Sequence, residues 1–373
     1  MGPCLRRGPI GSKNSVADRV SECLEPRHPN LPAPLSPSHP STHRRESHIL
    51  CAWNAAKSME KNGSVTINEG GNAASRDSVH RLGRDPVKQS LVNLLPPITL
   101  AAILAFWGLA PAAWVEAPWS LPAVGVGTVV LVQCLEFVFE RHAGWRMNWR
   151  EFGTDLFYFG FFFFVIGWLS DTLINSPLRE LKEAWGIGTP WLAELPFLVQ
   201  AMIALFVFEL GQYWMHRAMH NWTPLWLTHA PHHHLTQLNA MKGYIGNPIE
   251  LFLISIGVIA LLDIDLNALF ASITVGGAIA IYAHANVRAD PPIWYGFFFT
   301  TIRNHSLHHT ATSYEDTRCN YGNSVIFWDR LFGTYKEGES AIVGQDDRQR
   351  LSIREQWLFP LRPWLERGKP ARD

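Results

Sequence analysis

Four apolar stretches, each close to the ~20 residues a helix needs to cross bilayer hydrocarbon, limit what this 373-residue chain can become. They are "LVNLLPPITLAAILAFWGLAPAAW" (91–114), "LPAVGVGTVVLVQCLEFVF" (121–139), "DLFYFGFFFFVIGWLSDTLI" (155–174) and "ELPFLVQAMIALFVFELGQYW" (194–214). Any one of them could be a buried helix of a soluble core. Four in succession, in a chain with 17% charged residues against about 25% in soluble domains, point to a multi-pass integral membrane protein. The 16 Trp and 21 Phe fit a chain with two bilayer interfaces, where aromatic residues gather.

Basic residues orient the spans. Arg81, Arg84 and Lys88 precede the first, the connection "VEAPWS" has none, and "ERHAGWRMNWRE" carries Arg141, Arg146 and Arg150. Four crossings then return the chain to the basic, cytoplasmic side at His216. A fifth apolar region, 249–283, is interrupted by "LDIDLN". Its halves of about 14 and 16 residues are short for spans and predict a shallow helical hairpin that dips and returns, ending at His284 on the same face. Residues 1–88, rich in Pro, Ser and Asn, cannot bury a core and are expected to be disordered. The expected organisation is an N-terminal extension (1–88), a membrane-embedded domain (89–340) and a polar tail (341–373) with an interfacial segment at 356–365. The formal net charge of zero gives no general attraction to nucleic acid. Cys4, Cys23, Cys51, Cys134 and Cys319 contain no CxxC, which argues against a disulfide framework or a thiolate zinc site.

Ten of the sixteen histidines lie between His216 and His309. His216 and His220 are spaced i, i+4. His229, His232 and His233 are spaced i, i+3, i+4, and His305, His308 and His309 repeat that pattern. Residues three and four apart share a helix face, so each box is a ready-made chelating surface. His284 stands alone at the end of the hairpin, and His234 reads as an outer or solvent-facing residue. Clustered imidazoles that held no ion would repel one another when protonated and lack partners when neutral. Imidazole suits Zn, Cu, Fe and Ni. Nine candidate ligands (His216, His220, His229, His232, His233, His284, His305, His308 and His309) are too many for one ion and right for two. The chain has no HExxH, so a zincin-type peptidase lacks its base, and no Glu lies three residues before a box histidine. An all-nitrogen pair of iron ions at the lipid boundary points to oxygen activation, with a lipid as substrate.

The pattern HxxxH, HxxHH, HxxHH, with "YWMHRAMH" and "NYGNSVIFWDRLFGTY" (320–335) around it, resembles the fatty acid hydroxylase / sterol desaturase superfamily of integral-membrane di-iron oxygenases over roughly residues 90–340. The resemblance implies an all-α membrane protein: about four transmembrane helices plus the hairpin, capped by a cytoplasmic helical histidine-box metal domain. It implies two non-haem iron ions, dioxygen, and electrons from a separate donor protein such as cytochrome b5 or a ferredoxin, since no HPGG haem-binding stretch is present. Where the family often carries Asp seven residues before the first box histidine, this chain has Glu209. The expected function is a membrane-bound oxidoreductase that hydroxylates or desaturates a C–H bond of a lipid in lipid biosynthesis. A sterol, fatty acyl chain, sphingoid base, carotenoid or alkyl ether would all fit. The alternative is a membrane zinc-dependent hydrolase or a metal transporter using the same imidazoles. Two further readings stay open. "FYFGFFFF" (157–164) either walls a substrate channel or faces lipid. Asp155 either holds a ligand imidazole or ends a span at the interface.

Overall fold

The computed structural model describes residues 86–311, 317–345 and 348–365. The expected disorder of the N-terminal extension falls, for residues 1–85, outside the described residues. The described chain is helical. No strands occur among its residues, only isolated bridges between Glu140 and Val287 and between Thr310 and Val343.

Helices α1 (Pro86–Asn93) and α2 (Leu95–Leu109) form a bent pair, with an angle of 45° between them. Pro96 and Pro97 fall in the first turn of α2, where they supply no backbone N–H and crowd the turn before. The next helices are α3 (Ser120–Val138), the 37-residue α4 (Trp149–Trp185) and α5 (Phe197–Asn221). Helix α4 begins at an Asn148 side-chain cap and contains two π-helical turns, Phe162–Ile166 and Asp171–Asn175. Helices α6 (Thr223–His233) and α7 (Pro248–Ser255) lead to α8 (Leu266–His284). Shorter helices α9 (Ile293–Phe298), α10 (Ile302–His308), α11 (Phe327–Leu331) and α12 (Ile353–Leu358) follow. Among the described residues α3, α4, α5 and α8 are long and apolar enough to cross a membrane, and the α1–α2 pair makes a fifth if counted as one span.

The sequence made 249–283 a shallow hairpin with short limbs. The structure keeps a short descending limb, α7, but α8 runs 19 residues. The hairpin tip lies at the opposite end of α5 from the histidines. There the Asp265 amide donates to Gln200 Oε1 at 2.8 Å, and Asp263 pairs with Lys182. Gln200 and His216 are sixteen residues apart on one helix, about 24 Å at 1.5 Å per residue. The acids of "LDIDLN", which read as an interruption, are held by partners at the far end.

Helix α8 is the centre of the bundle: 56% of its apolar window is buried, against 17% for α4. It packs on α2, α3 and α5. Ala271, Val275, Ala278 and Ile279 meet Leu100, Ile103 and Trp107 of α2 and Ala201 and Leu205 of α5. Without water between helices there is little hydrophobic drive, so small residues that allow close packing and buried hydrogen bonds carry the association. Trp107 Nε1 donates to Thr274 Oγ1 at 2.9 Å, and the hydroxyls of Thr99 and Tyr282 lie 3.0 Å apart. Helices α5 and α8 thus run side by side in one direction, and each carries histidine in its last turn.

Candidate metal centre

All nine predicted histidines are buried, and they gather into two groups. His216, His220, His229, His233 and His308 form the first; His232, His284, His305 and His309 form the second. Within each group one ring nitrogen per residue lies within 4.8 Å of the others. The sequence treated each HxxHH box as one chelating face. The structure divides both boxes. On α6, His229 and His233 turn to the first group and His232 to the second. On α10 and the residue after it, His305 and His309 turn to the second group and His308 to the first. His234 belongs to neither and is not solvent-facing: it is buried, with its ring 5.1 Å from that of Phe359.

The local structure fixes which ring nitrogen faces inward. His216 Nδ1 donates to the Tyr321 carbonyl at 2.7 Å and His308 Nδ1 to the Cys319 carbonyl at 2.7 Å. His232 Nδ1 donates to the Ile245 carbonyl at 2.8 Å and His284 Nδ1 to that of Ala280 at 2.9 Å. A carbonyl oxygen can only accept, so in the neutral ring the proton is on Nδ1 and Nε2 carries a lone pair. Yet the Nε2 atoms of His216 and His308 face each other at 3.0 Å. Two lone pairs at that distance repel unless a cation lies among them. The Nε2 atoms of His216 and His229 approach to 3.0 Å, and those of His284 and His305 to 2.9 Å. Burial also keeps these rings neutral. It pushes His229 down to about 3. It carries His233, His305, His308 and His309 well below the usual imidazole range, with neighbouring imidazoles adding to the effect. Neutral, inward-facing nitrogen donors are the state that binds a transition metal, so the residues present fit a pair of such ions.

A shell of acceptors that the sequence only partly disclosed orients the rings. His229 Nδ1 lies 2.6 Å from Glu250 Oε1, the carboxylate–histidine pairing that holds metal ligands in place. Glu250 was not anticipated. Its signal was the "NPIE" of 247–250, a helix-start capping pattern, and the structure forms that capping box with Asn247. Glu209 accepts the amides of Ser324 at 2.9 Å and Val325 at 3.3 Å. Asp329 accepts those of Tyr321 and Gly322, both at 2.7 Å. The NYG…WDR stretch is therefore a clamped loop: its Tyr321 carbonyl aims His216, and that of Cys319, the residue just before it, aims His308. Asp155 does not reach an imidazole. It accepts from Asn239 and from the fully buried Lys242, which also pairs with Glu151. That network anchors the loop that carries the Ile245 carbonyl. In the same loop Gly243 lies against His284: a Cβ there would stand 3.2 Å from its Nδ1.

A cavity of about 380 Å³ adjoins the imidazoles, with His216 and His229 of the first group and His232 and His284 of the second in its wall. The remainder of the wall comes mainly from α3, α5 and α8, with Phe162 and Phe163 of the aromatic stretch. Phe164 is 82% exposed, so that stretch does both things the sequence left open.

Residues 201–334 match the family model described as fatty acid hydroxylase. An ornithine lipid hydroxylase from Rhizobium tropici is 32% identical over 150 residues, covering 39% of this chain and 44% of the relative. A methylsterol monooxygenase 1 from Danio rerio is 22% identical over 256 residues, 67% of this chain and 84% of the relative. A Delta(7)-sterol-C5(6)-desaturase from Nicotiana tabacum is 28% identical over 154 residues, 38% and 52% of the two chains. The chain thus spans less than two thirds of the first and third of these relatives. No solved structure matches. The matched region holds all nine histidines, and the resemblance seen in the motifs is borne out.

Proposed function

We propose that this chain, a member of the fatty acid hydroxylase / sterol desaturase superfamily, is an O2-dependent non-haem di-iron enzyme that hydroxylates or desaturates a membrane lipid. The observation that carries the reading is the pair of buried imidazole groups sharing one apolar cavity. His216, His220, His229, His233 and His308 would hold one ion, and His232, His284, His305 and His309 the other. Iron there would supply the activation of dioxygen toward an unactivated C–H bond. The protein's own part is position and exclusion. Carbonyls of Tyr321, Cys319, Ile245 and Ala280 fix the ring tautomers, Glu250 fixes His229, and the cavity wall keeps water from the reacting carbon. A misplacement of 1 Å can cost about 10²-fold in rate, so the same geometry decides between one product and another.

The remaining parts of the proposal follow the chain. Electrons come from a separate protein such as cytochrome b5 or a ferredoxin. The metal face is cytoplasmic, because the basic connections lie on its side. The organisation is an extension (1–88), the membrane and metal domain (89–340) and a tail (341–373). Residues Leu361, Trp364 and Leu365 are exposed together and suit the interface. The deciding experiment is metal analysis of the purified protein together with lipid profiles of cells with and without it. Two irons per chain and an oxidised lipid lost on deletion are expected. His308→Ala abolishes that product and lowers bound iron. Zinc alone in the native protein, or unchanged lipid oxidation by His308→Ala, would refute the assignment.

A further inference from the structure

The cavity has two ends that differ in chemistry. From His284 to Ser272, both in its wall, it follows α8 for twelve residues, about 18 Å. The imidazole end lies where α5 and α8 terminate, at the level expected for the bilayer boundary. The other end is bounded by Leu121 and Pro122 of α3 and by Ile273 of α8. Ile273 is 47% exposed on a span-length helix, so this end communicates with hydrocarbon.

The amide, phenol and imidazole groups of the wall are confined to the imidazole end. The hydroxyls in the distal wall are already used within their own helices: Thr128 donates to the Val124 carbonyl, Ser272 to Leu269 and Thr274 to Phe270. Near the histidines stand the phenol of Tyr244 and the amides of Gln212 and Asn323, of which Gln212 donates to the Ile254 carbonyl and accepts from Asn323 at 3.4 Å. None of the described lining residues is Lys or Arg, so nothing there matches an anionic headgroup. The two carboxylates in the wall are engaged, Glu209 by backbone amides and Glu250 by His229.

Halfway along α8's stretch of the wall, part of the lining is glycine. Gly125 of α3 and Gly277 of α8 both line the cavity, and a Cβ built on either meets no atom within 4 Å. Neither glycine is needed for helix packing or for a special backbone angle. In a helix interior glycine costs about 1 kcal/mol relative to Ala, and what it leaves here is width inside the cavity.

We propose that the cavity binds one uncharged lipid lengthwise, its polar end at the imidazoles and its apolar body passing between Gly125 and Gly277 toward the bilayer centre. The oxidised carbon is then within a few bonds of the polar end. That last clause rests on the oxidation reading above; the occupant and its direction do not. The occupant is a lipid rather than a second helix or a water-soluble molecule because the distal wall is apolar, opens among span-length helices, and has its hydroxyl donors bonded within their own helices.

The test is photo-crosslinking of the purified full chain with octadecan-1-ol carrying a diazirine at carbon 4 or at carbon 15, read by peptide mass spectrometry. The carbon-4 probe is expected to label the Gln212, Tyr244 and Asn323 end, and the carbon-15 probe residues 121–128 and 272–277. Gly277→Leu and Gly125→Leu are expected to lose at least tenfold of the labelling. Gly127→Leu, on the same helix as Gly125 but outside the cavity wall, keeps it. Melting curves and iron content identify any variant that has failed to fold, and the wild-type map alone still decides the direction. Reversed labelling, no labelling of the wild-type cavity, or full labelling of a folded Gly277→Leu would overturn the proposal. Crosslinking needs no turnover, so a protein that labels as expected but oxidises no lipid would sink the reaction and leave the occupant standing. Oxidation at the far end of a chain would sink the positional clause.

Discussion

Lys242→Met should be among the most damaging single changes in the chain, although Lys242 touches no candidate ligand. The ammonium is fully buried and pairs with Glu151 and, at 2.7 Å, with Asp155. Removing it leaves Asp155 completely buried with Asn239 as its remaining described donor, at 2.7 Å, whereas Glu151 keeps Arg350. Breaking a buried pair by deleting one partner costs about 3–5 kcal/mol, because a charge is stranded. The retained Arg350 puts this case near the lower figure. At ~2–4 °C per kcal/mol for a domain of this size, the melting temperature should fall by about 10 °C, read by tryptophan fluorescence in detergent. Lys242→Met combined with Asp155→Asn should recover most of the loss, since the stranded charge is gone. The loop that Lys242 anchors also presents the Ile245 carbonyl to His232 and lies against His284 through Gly243. Metal should therefore be lost from the second group first. A single variant within about 3 °C of wild type, or a double variant less stable than the single, would refute the reasoning about charge burial.

Glu250→Ala removes the carboxylate that holds His229 at 2.6 Å and should weaken metal binding by about 10–100-fold, measured by competition with a chelator. The metal-free protein should be sensitive to acid. His229 has a folded-state value near 3 against about 6.5 in an unfolded chain, so the unfolded state binds more protons between those limits. Stability therefore rises with pH across that window and falls on acidification below about 6.5, by roughly 1.4 kcal/mol per pH unit for each such imidazole. Denaturant titrations of the metal-free protein at pH 7.5, 6.5 and 5.5 check this. Equal midpoints at all three would contradict it.

The apolar runs made the span-length helices legible, because hydrocarbon thickness leaves one solution for a stretch of about twenty such residues. The chelating spacing made the histidines legible in the same way. Two things were hidden. The hairpin's depth depended on Lys182, Thr189 and Gln200 capturing Asp263 and Asp265, contacts between residues 65 or more apart that no local pattern encodes. The outer shell was hidden for a related reason: the acceptors for His216, His308, His232 and His284 are backbone carbonyls, which every residue has. Glu209 drew notice as a departure from the family's Asp and Asp155 as an acid near a span end, yet their partners turned out to be backbone amides in one case and a buried lysine in the other.

The division of each HxxHH box between two groups has a consequence that separates this arrangement from two independent sites. Helix α6 and the α10 segment donate to both groups, whereas α5 serves only the first and α8 only the second. The placing of the groups relative to each other is therefore set by the directions in which rigid helix sends its i, i+3 and i+4 side chains, and not by side-chain freedom. Removing a ligand carried by α8 should then empty one position without moving the other. His284→Ala is expected to bind about one iron per chain, to keep the first group's ion through His216, His220, His229, His233 and His308, and to lose turnover. The assay is iron content with Mössbauer spectroscopy of the purified variant, which distinguishes a single iron from a coupled pair. Loss of both ions from a variant that still melts cooperatively would show that the groups bind as a single unit. Retention of both, with activity, would remove His284 from the ligand set.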